Sequence, residues 1–309
     1  MDQYISDLFE TIKNGNMTTT YKVAWIRAIV ETCVLNSDGG SIDLDQIEAR
    51  MFGYYWNQTL WFDLKQSPNF VKIPEFQQVV LDSIKTYQSV HGMKPVYFSE
   101  AERKIDINLT KIRKILGKTV VVYFKNEVDP SREFYTISGK TLTLHRPDLI
   151  REYASILLTV INARWTSELE TYNNCPSISK KVSSAADENV KRGSLVKFKK
   201  LLDIENPNHI CFHTGVPIPA GEESIDHVLP WSYLYSDDVW NLVYTSKSYN
   251  SSKSNKVPDL STIHKLEARN KRLSMRAGSY KGKGMVSQIA ELRYAVESGT
   301  VKKFWVGCQ

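Results

Sequence analysis

The 309-residue, 35.4 kDa chain is too long for one small motif and suits two or three small domains in one compact body. Hydrophobic residues make up 42% and charged residues 24%, so a core can form and global disorder is excluded. Forty Lys and Arg against 34 Asp and Glu leave a net charge of +6 and an isoelectric point near 8.9, a mild surplus that permits a polyanionic partner without requiring one.

The N-terminus, Met1-Asp2-Gln3-Tyr4-Ile5-Ser6-Asp7, carries early acids and no apolar run of the secretory kind. The longest mostly apolar stretch, Tyr153 to Ala163, is closed by Arg164 and falls short of the roughly 20 residues that cross a bilayer, so no membrane partner is expected. Four scattered cysteines, Cys33, Cys175, Cys211 and Cys308, form no CxxC pair, which fits a reducing, cytoplasmic setting.

Amphipathic helices are predicted over residues 2 to 14 and 19 to 35, with Thr18 to Thr20 as cap candidates and Val23, Ile26, Ile29, Val30 and Cys33 on one face. The turn Ser37-Asp38-Gly39-Gly40 ends that unit. A further helix runs from about Leu44 through Tyr54, Tyr55, Trp56, Trp61 and Phe62, rings read as core rather than as a stacking surface, and another follows Pro74. Thr119 to Phe124 reads as a strand, and Phe134 to Ile137 with Thr141 to Leu144 as a hairpin about Ser138-Gly139-Lys140. Pro147 to about Glu170 reads as one long helix, and the polar stretch Asn173 to Gly193 as a linker. The expectation is therefore an α+β protein. Residues 1–172 would form a mostly helical domain with a small antiparallel sheet, serving recognition or partner binding. Residues 173–193 would link it to a second domain, residues 194–309.

The chemistry gathers in residues 209 to 260. Ile210 to Thr214 and Ser224 to Val228 alternate like two strands joined by a turn containing Gly215, Pro217, Pro219 and Gly221, and a short helix is predicted over about Thr245 to Lys253. In this ββα unit Asp226 and His227 are strand neighbours and point to opposite faces, one toward a metal and the other toward a substrate. A neutral imidazole takes a proton from water near neutral pH, which makes His227 the general base for phosphodiester hydrolysis. The Asp226 carboxylate and the Asn250 amide oxygen suit a hard cation, Mg²⁺ or Mn²⁺. Asn241, in the intervening loop, can hydrogen-bond the backbone and hold the His227 segment. For His213, contact with metal or phosphate is the alternative to packing or a hydrogen bond, and the latter is the preferred reading.

These residues resemble the HNH, or ββα-metal, endonuclease family, with His227, Asn241 and Asn250 in the three name-giving positions and Asn in place of the last His. The flanks, Asp226-His227-x-x-Pro230-x-Ser232, Asp237-Asp238, Asn241 and Asn250-x-x-Lys253, are especially similar to the HNH domain of the RNA-guided CRISPR nuclease. Nothing N-terminal to them shares the likeness, so the chemistry is carried over and the guide RNA is not. Many members brace the unit with zinc on two cysteine pairs. Here Cys211 with Thr214 and the region of Thr245, Ser246 and Tyr249 stand in those places, so no complete structural zinc site is expected.

From Ser261 onward roughly ten Lys and Arg face about three acids. That basic helical extension, through Arg269, Lys271, Arg272 and Arg276 together with Lys253 and Lys256, is expected to hold phosphates, and Gly278 to Gly284 to form a basic loop. The leading reading is a metal-dependent DNA endonuclease, acting on double-stranded DNA in bacterial restriction or anti-phage defence, with a homodimer or a defence-system protein as possible partners. The alternative is a DNA-binding or adaptor protein that keeps the fold without cleaving.

Overall fold

A computed structural model describes residues 2–36, 39–69, 72–121, 133–253, 255–280 and 285–308. The chain divides into two compact units, Met1–Asn173 with Ile178–Val190, and Asn174–Ser177 with Lys191–Gln309. Among the described residues no helix is long and apolar enough to cross a membrane.

The first unit opens with α1 (Gln3–Asn14), capped by the Asp2 carboxylate, which accepts from the Tyr4 N–H. Ile5, Leu8 and Ile12 recur at helical spacing and are buried. In α2 (Tyr21–Leu35) burial extends nearly all round, as expected of a central helix. Thr20 at its N-terminus makes no capping bond: its buried hydroxyl donates to Gln66 Oε1 at 2.5 Å and meets the Tyr55 hydroxyl at 2.6 Å. Strand β1 (Ser41–Asp43) leads into α3 (Leu44–Phe62), where Asp43 caps through the Asp45 N–H.

The helices α4 (Glu75–His91), α5 (Phe98–Ala101) and α6 (Leu109–Lys118) follow, then the hairpin of β2 (Tyr135–Ser138) and β3 (Thr141–Leu144), with Gly139 at φ +59 in its turn. The hairpin is as read, and β1 adds to it as a third, unforeseen strand, giving the antiparallel order β1-β3-β2. The strand expected over Thr119 to Phe124 does not begin: Thr119 closes α6 and residues 120 and 121 are helical, while residues 122–124 lie outside the described residues. A short unbroken apolar run fits a buried helix as well as a strand. Ser37 and Asp38 of the expected turn also lie outside the described residues.

The expected long helix is two, α7 (Pro147–Glu152) and α8 (Ala154–Tyr172), parted at Tyr153. The stretch expected as a linker carries α9 (Ile178–Ala186), whose Ile178, Val182 and Ala185 are buried against α3 and α8. Asn57 fixes this arrangement. Its Oδ1 accepts from the Phe98 N–H at 2.9 Å and its Nδ2 donates to the Ala185 carbonyl at 3.0 Å. The rings of α3 are core as read except Trp61, which is half-buried: Tyr55 is buried against Phe76 and Trp165, and Trp56 against Tyr87 and Phe98.

The second unit is built of α10 (Lys199–Glu205), β4 (Glu223–His227), α11 (Trp231–Leu234), β5 (Leu242–Ser246), α12 (Lys247–Lys253), α13 (Leu260–Arg276), α14 (Val286–Ser298) and α15 (Thr300–Cys308). Strands β4 and β5 pair antiparallel, with Asp226 opposite Val243 and His227 opposite Leu242. Leu202, Val228, Leu229, Leu242, Ile263, Leu266 and Leu292 form the centre of its core. The architecture is thus α+β, with a helical N-terminal unit and a C-terminal ββα unit flanked by helices.

Within α3 a methyl group at Gly53 would lie 2.7 Å from Phe98 Cδ1, against a ring that is itself buried. Gly53→Ala is expected to lower the thermal midpoint, because overpacking of about 1–3 kcal/mol outweighs the roughly 1 kcal/mol gained in helix preference. A calorimetric scan showing a raised midpoint would contradict this packing.

Candidate active site

Of the two expected strands, Ser224 to Val228 is present as β4, one residue earlier, and the first is replaced. Ile210 to Thr214 is not a strand but the start of a tight turn, closed by Cys211 N–H to Val216 O and Gly215 N–H to Cys211 O, with a single bridge between Ile210 and Pro217. The Asn206 side chain fixes its entry by bonding both the N–H and the carbonyl of Ile210, and Gly215 takes φ +73. The hairpin is made instead by β4 and β5, and α12 follows β5 directly.

Strand alternation sends Asp226 and His227 to different partners. His227 Nε2 lies 3.0 Å from Asp237 Oδ1, on the loop after α11. With its Nε2–H donated to that carboxylate, Nδ1 is left as the accepting nitrogen. Asp226 Oδ2 receives the Lys253 ammonium at 2.8 Å and faces His213 Nε2 at 3.7 Å. Burial alone would raise the Asp226 carboxyl, but His213 and the Lys253 charge outweigh it and hold the group below the ordinary carboxylate range. Asn250, on α12, donates Nδ2 to Ser224 Oγ at 2.9 Å, two residues before Asp226 on the same strand face. Asn241 is fully buried, and its amide grips Leu229 twice, accepting from the N–H at 2.8 Å and donating to the carbonyl at 3.0 Å.

The structure therefore brings Asp226, His227, Asn241, Asn250 and Lys253 together around one hairpin. It separates the remaining basic residues. Arg269, expected on phosphate, is 2% exposed, and its Nη1 donates to the Val239 carbonyl at 3.0 Å and to Asn270 Oδ1 at 2.6 Å. Desolvation draws its guanidinium down to about 10, partly countered by Glu205. It faces inward as a brace, because a helix that covers a core must turn one side of even a basic sequence inward. Arg272 pairs with Glu205 at 2.8 Å, and Arg276 donates to the Glu205 carbonyl at 3.0 Å. Lys256 and Lys271 are exposed. Residues 281–284 of the expected basic loop lie outside the described residues.

Two residues beside Asp226 and His227 stand outside the site expected from sequence. Asp237 enters that motif only as a flank, and Arg192 falls in the stretch that reads as a linker. Its guanidinium lies 4.6 Å from the Trp231 ring centroid, in electrostatic range of Asp237 and Asp226, and a Cβ on Gly193 would stand 3.0 Å from Asp237 Oδ2. Two adjacent residues of that segment thus wall the acidic side of the site.

Among the described residues no group of three or more His, Cys, Asp and Glu is arranged to hold a metal. At the position of the first thiolate, Cys211 Sγ lies 3.5 Å from Thr245 Oγ1. Burial opposes ionisation of this thiol, yet Thr214, Thr245 and the Ser246 backbone surround it with hydrogen bonds and draw it down to about 7. The residue types present do fit a hard divalent cation: the Asp226 carboxylate on β4 already receives an ammonium, and Asn250 on α12, tied to the same strand through its amide nitrogen, offers a neutral amide oxygen.

A hairpin followed by a helix, with Asp, His and Asn gathered over it, defines a ββα nuclease-type domain. Residues 211–259 match the family model described as HNH endonuclease, and this segment is an HNH-family domain. HNH nucleases use divalent metal ions, and the domain implies nucleic-acid binding. No curated protein and no solved structure matches the chain.

Arg269→Ala is expected to cost on the order of 3 kcal/mol in urea unfolding, since it strips a buried carbonyl of a charged donor, while leaving the salt slope of DNA binding unchanged. Lys271→Ala should do the reverse, and equal slopes for both variants with no loss of stability would return Arg269 to the surface. For Cys211 the sign follows from a folded value below the ordinary one near 9. Its contribution is complete above the unfolded value and lost as pH falls through the folded one. The stability difference between wild type and Cys211→Ala should therefore grow from about pH 7 to about pH 9, and a constant gap would show that the thiol stays protonated.

Proposed function

We propose that this protein is a metal-dependent endonuclease that hydrolyses phosphodiester bonds of double-stranded DNA. The observation that carries the reading is the division of labour on β4: His227 is oriented by Asp237 at 3.0 Å, while the neighbouring Asp226 carboxylate receives the Lys253 ammonium, on the strand face that Asn250 bonds. A divalent cation, Mg²⁺ or Mn²⁺, held by Asp226 and Asn250 supplies positive charge for the scissile phosphate. His227 takes the proton of the attacking water on Nδ1, the water oxygen bonds to phosphorus, and the phosphorus–oxygen bond to the leaving sugar breaks. Asp237 fixes the imidazole tautomer and stabilises the imidazolium that forms, and Asn241 fixes the backbone that carries it. Arg192, Lys256 and Lys271 face phosphate, with Lys253 joining them when a metal takes its place at Asp226.

The N-terminal unit serves as the recognition or partner-binding domain, and the chain acts in the cytoplasm in restriction or anti-phage defence. One HNH site cuts one strand, so a double-strand break requires a homodimer, a second encounter or a partner protein.

Supercoiled plasmid with Mg²⁺ or Mn²⁺ tests the chemistry. Wild type is expected to nick or linearise it, and His227→Ala to lose about 10²–10⁴-fold in rate. Asp226→Ala should lose both activity and Mn²⁺ affinity by calorimetry. Wild-type protein that binds DNA but leaves plasmid and phage DNA intact under every metal condition would favour the non-cleaving adaptor.

A further inference from the structure

The turn after α10 carries one side chain that the fold buries and leaves unsatisfied. His213 is stacked on Tyr249, with ring centroids 4.5 Å apart and planes 15° apart, and meets the edge of Phe212 at 5.1 Å. These contacts fix the ring plane. The side chain is only 6% exposed, and Nε2 is buried without a hydrogen-bond partner. It faces Asp226 Oδ2 across 3.7 Å, too far for a hydrogen bond. A buried ring nitrogen without a partner costs about 1–3 kcal/mol, and an ion is one of the few things that accounts for it.

The geometry is close to that of shared ligation. Two donor atoms at about 2.0–2.2 Å from one cation, in adjacent positions of an octahedron, stand roughly 3 Å apart. Less than about 1 Å of movement would bring His213 Nε2 and Asp226 Oδ2 onto one ion. The same Asp226 oxygen already holds the Lys253 ammonium at 2.8 Å, so positive charge is accepted there. Tyr249, on which His213 stacks, is the residue before Asn250 on α12, so the stack ties the imidazole to the helix turn that carries the amide ligand.

We propose that His213 Nε2 is a third protein ligand, beside Asp226 and Asn250, of the divalent cation in the nuclease site. The inference rests on the nuclease reading and adds to it a nitrogen donor from outside the two strands and the helix. An imidazole in place of a water changes which ion the site prefers. Nitrogen ligation favours the later, softer first-row ions over Mg²⁺, so Mn²⁺ and Co²⁺ gain more from His213 than Mg²⁺ does.

Pulsed EPR of the full chain loaded with Mn²⁺ reads the ligand directly, through nitrogen hyperfine modulation on the metal. Modulation is expected in wild type and in His227→Ala. It should vanish in His213→Gln and in His213→Phe, the second of which keeps the aromatic stack on Tyr249 and so keeps the fold. By calorimetry the same variants should bind Mn²⁺ about 10-fold more weakly or worse, with a smaller loss for Mg²⁺. Wild type that binds Mn²⁺ and cleaves but shows no nitrogen modulation would overturn the assignment and leave the nuclease reading standing. Modulation that survives in His213→Phe and disappears in His227→Ala would overturn it as well. Wild type that neither binds a divalent ion nor cleaves DNA would remove both.

Discussion

The geometry of the site depends on one buried amide. Asn241 spends both ends of its side chain on Leu229, and the Val228 N–H adds a third bond to the Asn241 carbonyl at 2.9 Å. These bonds close the segment between β4 and β5 directly beyond His227. The loop they close carries Asp237, so the clamp determines whether the carboxylate reaches the imidazole. Closing such a loop costs entropy that the carboxylate–imidazole bond alone would not offset. The clamp is in turn held from behind, because Arg269 and Asn270 on α13 bind the carbonyls of Val239 and Trp240, the two residues before Asn241. A chain of interior hydrogen bonds therefore runs from a flanking helix to Val228, the residue after His227.

This network explains how the unit holds together without four thiolates. A structural zinc would pin the turn at Cys211 to the end of β5 by coordination. Here the Phe212 N–H bonds the Tyr244 carbonyl at 2.9 Å, Cys211 faces Thr245, and Lys265 of α13 donates to the Phe212 carbonyl. Cys211 is 3% exposed and belongs to the apolar cluster that includes Leu202, Val243 and Ile263. Coordination has been exchanged for a packed core and for donors around one sulfur, and the flanking helices have become part of the domain rather than attachments to it.

How much was legible in the sequence follows from how local each signal is. Asp226, His227, Asn241 and Asn250 were legible through the motif they share with HNH nucleases, and the structure gathers them around one hairpin. The helices with strong apolar faces and the hairpin at Gly139 were legible from their local pattern. The position of the strand that pairs with β4 was not. Ile210 to Thr214 alternates as a strand would, but Asn206 and Gly215 close it into a turn, and side-chain bonds to the backbone do not show in an apolar pattern. The strand role fell to Leu242 to Ser246, nearly all buried, which periodicity does not separate from a helix end. The stretch 173–193 looked like a linker because its few apolar residues are spaced for one short helix, and only the surfaces of α3 and α8 make that helix a buried one. Asp237 and Arg192 were illegible because their roles depend on a loop closure and on an aromatic ring, both tertiary.

The basic C-terminal region shows why charge counted along a sequence overstates what a phosphate backbone meets. A cation contributes to a polyanion only if its charge is not already answered inside the protein. Arg269 is buried on two carbonyl oxygens, one backbone and one side-chain, Arg272 pairs with the Glu205 carboxylate and Lys253 with Asp226, whereas Arg276 is exposed and meets only the Glu205 backbone carbonyl. Lys256 and Lys271 are exposed, and Arg192 has an aromatic face but no hydrogen-bond or ion-pair partner among the described residues. The last of these lies against Asp237 and Asp226, where it lowers the local negative potential that two carboxylates would otherwise present to a phosphodiester. The whole-chain surplus of +6 is therefore a poor guide to where DNA would lie. What decides is each cation's own surroundings, and Arg192, in electrostatic range of Asp237 and Asp226, belongs to the site rather than to the basic tail.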